Sequence, residues 1–175
     1  VSSLGCPFQC AFCLDSQVAY QPLPDAQLKE DLRFLLSRRR RPTVGWQDPN
    51  FGVRLDAHLD LIEEVVPPGR MRFIGECNLS VLAEPHLERL RRNGFMGAII
   101  GIESWFDYAG KTGNKGLTGA DKARAVGEQA DLVTRHIPYV QANFIMGLDC
   151  DSGVEPFDLS RQFLDRAPAI MPTYR

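Results

Sequence analysis

Three cysteines fall within eight residues near the amino terminus, Cys6-Pro7-Phe8-Gln9-Cys10-Ala11-Phe12-Cys13, in C-x3-C-x2-C spacing. Three of the chain's five cysteines in so short a stretch point to a shared task rather than to packing. The amino terminus lacks the basic-then-apolar pattern of a leader, and no apolar run reaches the roughly 18 residues of a spanning helix. The expected compartment is therefore cytoplasmic and reducing, where thiols serve as ligands or nucleophiles more often than as disulfides. Thiolates on one tight loop are soft donors that select an iron–sulfur cluster, zinc or Cu(I).

The fourth ligand separates these. A structural zinc site closes with four protein ligands, usually as two close pairs. His58, His86 and His136 stand singly, and Cys77 and Cys150 are single residues at distant strand ends, so no second pair is present. A cubane on three thiolates leaves one iron open to a small molecule bringing amine and carboxylate groups. An iron–sulfur site is thus expected. A structural zinc or protein-interaction domain is the alternative from another class.

The elements that must position this loop follow from periodicity. Short β-branched or aromatic runs alternate with stretches apolar at i, i+3, i+4 and i+7. Strands are expected at 1–4, 43–47, 71–76, 97–103, 138–148 and 169–172. Helices are expected after Asp25, with Leu28, Leu32, Leu35 and Leu36 inside; over Leu55, Leu59, Ile62 and Val66; over Leu87 and Leu90; after Thr118, with Ala123, Val126, Ala130 and Val133 inside; and over 156–166. Arg38 to Arg41 complement a helix C-terminus, and Gly110 to Gly116 lacks the residue order of a phosphate-binding loop. Five βα units and a sixth strand make either part of an eight-unit barrel, which needs about 250 residues, or an open doubly wound sheet. In both, ligands gather at the carboxyl ends of the strands, where Cys6, Asp48, Asn50, Glu76, Asn78, Glu103, Ser104, Asp149 and Tyr174 lie. The 175 residues, 44% hydrophobic and 24% charged, fit one domain over 1–175. With no initial Met and a start inside an expected strand, it reads as an excerpt of a longer chain. A net charge of −2 excludes a general electrostatic binder of nucleic acid or anionic membrane.

The cysteine loop, aromatic at Phe12 just before its last cysteine and placed after the first strand of a βα array, resembles the radical S-adenosylmethionine (SAM) superfamily. That resemblance implies an α/β fold, a partial (β/α)6 TIM-like barrel with a parallel sheet, truncated here after the sixth strand. It implies Cys6, Cys10 and Cys13 as ligands of a 4Fe-4S cluster whose free iron binds SAM, with Phe12 near the adenine. One electron, from a donor such as flavodoxin or ferredoxin, would cleave SAM to methionine and a 5′-deoxyadenosyl radical that abstracts hydrogen from a substrate. Gly101-Ile102-Glu103-Ser104 resembles the family's G-x-E-S segment, whose Glu helps hold SAM. Asn143-Phe144-Ile145-Met146-Gly147 resembles the strand beside the adenine, with Asn143 in place of its first Gly and Cys150 in place of its final Glu. A buried Asn143 needs a partner, either a ribose or a neighbouring side chain.

Where many members carry Gly-Gly-Glu, this chain has Gln47-Asp48-Pro49-Asn50-Phe51-Gly52, similar to a variant in the cobalamin-associated branch. That likeness implies cobalamin carried by a domain outside these residues, and methyl transfer among the reactions. The same residues also read as a turn before a helix. Cys77 and Cys150 are expected as small core residues, and Trp46 and Trp105 as packing. The catalytic residues and the substrate are not identified by the sequence.

Overall fold

The structure, a computed structural model, describes residues 1–8, 10, 12–106 and 116–175. Most of the Gly110 to Gly116 stretch lies outside the described residues. Seven strands and five helices follow one another along the described chain. The strands are β1 (Ser3–Leu4), β2 (Gln21–Pro22), β3 (Thr43–Trp46), β4 (Arg72–Cys77), β5 (Phe95–Glu103), β6 (Tyr139–Phe144) and β7 (Ile170–Tyr174). The helices are α1 (Asp25–Arg38), α2 (Leu55–Val65), α3 (Glu84–Arg92), α4 (Gly119–His136) and α5 (Glu155–Arg166).

Strands β3 to β7 form one parallel sheet in the order of the sequence. A doubly wound sheet reverses its strand order at a switch point, and this sheet does not, so it is an arc of a barrel. A helix follows β3, β4, β5 and β6, and α1 packs on α2, α3 on α4 and α4 on α5. Arg89 of α3 pairs with Asp56, Asp60 and Glu63 of α2, which couples those two helices as well.

Alternation along the strands assigns the two faces. Phe73, Gly75 and Cys77 of β4 are buried, as are Ala98, Ile100 and Ile102 of β5 and Val140 and Ala142 of β6. These pack under the helices. Ile74, Glu76, Ile99 and Gln141 point to the other face and remain half-buried. One face is therefore a hydrocarbon core and the other a lined hollow.

The expected first strand is corrected. Ser3–Leu4 pairs antiparallel with Gln21–Pro22 and is outside the parallel sheet. In Val1-Ser2-Ser3-Leu4 the apolar residues are the exposed ones, Val1 at 60% and Leu4 at 51%, while both serines are buried. Such a segment has no apolar face to offer a core, and side-chain hydrogen bonds hold it instead.

The element after β3 is a turn that starts a helix. The Asn50 Oδ1 accepts from the Gly52 N–H at 3.0 Å and caps a short 3-10 turn, Phe51–Arg54, that runs into α2. Phe51, 1% exposed, sits between Trp46, His58 and Phe95 at ring distances of 4.9, 4.8 and 5.1 Å. Phe51→Ala is expected to cost about 3–5 kcal/mol of folding free energy, read by urea unfolding.

Candidate functional site

The cysteine loop closes on itself through its backbone. The Cys6 N–H donates to the Asp15 carbonyl at 3.2 Å, and the Cys13 N–H to the Cys10 carbonyl at 3.0 Å. The Ser16 hydroxyl donates to the carbonyls of Cys10 and Cys13, at 3.1 and 2.6 Å. Gly5, at φ +63°, makes the bend into the loop, and a Cβ there would lie 2.3 Å from the Val18 carbonyl oxygen. Only glycine fits.

A buried polar cluster ties this loop to the sheet. Asp48, just beyond β3, accepts from the Ser2 N–H, from the Ser2 hydroxyl and, at 2.9 Å, from the Ser3 hydroxyl. The Trp46 indole N–H donates to the Ser2 Oγ at 3.0 Å, and the His58 Nε2 lies 2.8 Å from the same oxygen. Asp48, His58 and Ser2 are 3%, 2% and 0% exposed. Burial lowers the His58 pKa, against the Phe51 carbonyl that its Nδ1 faces at 3.2 Å and the Asp48 charge, both of which raise it.

Across the rim, β5 ends on Glu103, whose φ of +65° is the one positive value at a non-glycine among the described residues. The Ser104 N–H bonds the Ile102 carbonyl at 2.9 Å, closing a γ-turn around Glu103, and the Glu103 carbonyl accepts from the Ile145 N–H at 2.8 Å. A left-handed Glu costs about 1–3 kcal/mol, strain of a kind that concentrates at functional sites. Glu103 is 7% exposed. Asn143 on β6 is oriented by a ladder: the Tyr139 hydroxyl donates to the Gln141 Oε1 at 2.9 Å, and the Gln141 Nε2 to the Asn143 Oδ1 at 2.8 Å. The Asn143 Nδ2 is left to donate elsewhere.

These elements meet at one cavity of about 520 Å³, lined by Cys6, Cys10, Cys13, Phe12, Glu103 and Asn143. Phe8, Leu14, Ile145, Glu76 and Arg175 also line it. Ser104 is not among its lining residues. The Ser104 hydroxyl accepts from the Phe106 N–H at 3.1 Å and lies 3.7 Å from the Cys150 Sγ. Asp15, Pro49 and Glu76 also border a second hollow of about 250 Å³ that runs along Ile74 and Ile99. Arg175 escaped the sequence reading because it lies beyond the last periodic strand. A buried Lys122 was missed too, although it occupies the inner stripe of α4 one turn before Val126.

Among the described residues, no three His, Cys, Asp or Glu side chains are gathered as a metal-holding group. The donor set still fits a thiolate-ligated cluster. The three loop thiols are half-buried, none is in a disulfide, and all line one cavity together with Phe8, Phe12, Glu103 and Asn143. The three histidines are used elsewhere: His58 in the buried cluster, His86 on the Val81 carbonyl and Asp56, and His136 beside Glu84. Cys77 is core, as expected, and burial with the neighbouring Glu76 pushes its thiol up to about 12. Cys150 is exposed rather than core, because the loop that follows β6 carries it outward. Trp46 and Trp105 are buried packing.

Two outcomes follow from these environments. Cys150 is expected to react with iodoacetamide in the folded protein while Cys77 stays unmodified until unfolding, read by peptide mass spectrometry. His58 is held neutral in the fold, so the unfolded chain takes up the proton first as pH falls. Unfolding free energy is expected to decline from about pH 7 to about pH 5, with a shallower decline in His58→Gln.

No protein-family model matches the chain, and no curated protein does. Solved structures do match, over 99% of the chain. One is OxsB, a cobalamin-dependent SAM radical enzyme with aqua-cobalamin bound, at 20% identity and TM-score 0.68. Another is TsrM from Kitasatospora setae, a radical SAM methyltransferase with cobalamin and a 4Fe-4S cluster bound, at 16% and 0.72. A third is anSMEcpe with bound AdoMet and a peptide, at 12% and 0.68. The chain spans 27%, 33% and 48% of their respective lengths. Its fold is that of a core found in radical SAM enzymes.

Proposed function

We propose that the chain is the core domain, over 1–175, of a longer radical SAM enzyme, with Cys6, Cys10 and Cys13 holding a 4Fe-4S cluster. The observation that carries this reading is the convergence of the cysteine loop, Glu103 and Asn143 on one cavity at the carboxyl rim of a parallel arc. When bound, the cluster and SAM supply one-electron cleavage of SAM and hydrogen abstraction from a substrate.

The chain's own share is positioning and shielding. The hydrogen bonds of Ser16, Cys13 and Cys6 preset the loop before any ligand binds. Phe12, half-buried on the cavity wall, would shield the thiolates and lie near the adenine of bound SAM. The Glu103 carboxylate accepts from a ribose diol or an ammonium group, and the Asn143 Nδ2 donates to an acceptor of the same ligand. Ser104 serves by closing the turn that presents Glu103 through its N–H, while its hydroxyl accepts from the Phe106 N–H in the segment that follows. The electron comes from a flavodoxin or ferredoxin in the cytoplasm. No helix among the described residues is long and apolar enough to cross a membrane.

Likeness to two cobalamin-containing enzymes supports cobalamin and methyl transfer, with the cobalamin carried outside these residues. The Asp48 and Phe51 side chains are committed inside the fold, so they serve that reading as scaffold. Anaerobic reconstitution is expected to load iron and sulfide in equal amounts and give a reduced-cluster EPR signal that SAM alters. The Cys6→Ala, Cys10→Ala, Cys13→Ala variant is expected to lose both. A colourless protein holding zinc on these thiols would overturn the proposal.

A further inference from the structure

Lys122 lies in the first turn of α4 and is 3% exposed. Two costs meet there. Burial removes an ammonium group from water, and the N-terminal turn of a helix is the wrong end of the dipole for a cation. A helix of this amphipathic pattern would be served by an aliphatic residue at that position, as at Ala123 and Val126. The lysine is explained by what it holds.

Its Nζ donates to the Ser104 carbonyl at 2.6 Å and to the Phe106 carbonyl at 3.3 Å. Between them, the Trp105 carbonyl accepts from the Gly119 N–H at 2.9 Å, from the start of the same helix. Three successive carbonyls are thereby clamped to the head of α4. The Trp105 indole N–H, donating to the Ser160 Oγ at 2.8 Å, anchors the segment to α5 as well. The clamp begins one residue after Glu103, the residue held at φ +65°. A strained conformation persists only where its surroundings over-determine it.

We infer that Lys122 is a positioning residue for Glu103: it pins the Ser104 and Phe106 carbonyls so that the γ-turn keeps the Glu103 carboxylate in the cavity. This rests on the proposed reading of Glu103 as a SAM-holding group.

The test uses the reconstituted protein with SAM as titrant, and the same variants without cluster. Lys122→Met is expected to weaken SAM binding about tenfold at unchanged iron and sulfide content, with most of the loss recovered in Lys122→Arg. The Glu103→Ala, Lys122→Met double variant is expected to bind no more weakly than Glu103→Ala alone, since two residues acting through one contact do not add. Without cluster or SAM, Lys122→Met is expected to speed amide exchange at Ile145, whose N–H bonds the Glu103 carbonyl, while leaving Val140 unchanged. Weakened binding in Glu103→Ala with wild-type affinity in Lys122→Met overturns the inference alone, as do additive losses or unchanged exchange at Ile145. Wild-type affinity in Glu103→Ala overturns the reading of Glu103 and the inference with it. Should Lys122→Met fail to fold, Lys122→Gln is expected to give smaller shifts in both readouts, and wild-type values in both overturn the inference.

Discussion

A buried carboxylate holds the amino-terminal segment in place. Asp48 stands at the end of β3 and takes hydrogen bonds from both Ser2 and Ser3, and the cysteine loop begins three residues later. Without an apolar stripe of its own, that segment depends on directional bonds in a low-dielectric setting. There a satisfied network is strong and a broken one costly. The position of the three sulfurs relative to the sheet is inherited from this cluster, which Trp46 and His58 complete at the Ser2 hydroxyl.

The opposite wall of the cavity is built on different physics. There the backbone at Glu103 is forced into a left-handed turn and held by its neighbours, a Lys122 clamp on one side and the β6 ladder on the other. One wall stores favourable bonds and the other stores strain. Both place polar groups at a rim where helices and strands contribute little beyond their ends, as the architecture of parallel α/β arcs leads one to expect.

Much of this was legible in the sequence because it is local. The alternation of β-branched runs with helical stripes located five of the six expected strands to within a few residues, and the cysteine spacing marked its loop. Cys77 and the two tryptophans read as core because unliganded cysteines and large indole rings are usually buried. What was not legible depends on distant partners. Ser2 and Ser3 pass for residues of the parallel sheet until Asp48, far along the chain, is seen to claim them. Glu103 shows no sign of its positive φ, since a glutamate at a strand end is compatible with ordinary extended backbone. Cys150 sits in a loop whose path no periodicity encodes. Lys122 did leave a trace, a charge on an apolar stripe, whose hydrogen bonds to the Ser104 and Phe106 carbonyls no periodicity encodes.

The division of the sheet into a hydrocarbon face and a lined hollow separates two quantities that most small domains must trade against each other. Cohesion resides in residues such as Phe73, Ile100 and Val140 under the helices, whereas the capacity of the hollow is set by side chains such as Ile74 and Ile99 on the reverse. Gly97 belongs to the second group, for a Cβ there would come within 3.0 Å of Ile74. The dimensions of the guest space can drift by substitution on one side while the mechanical integrity of the molecule is kept on the other.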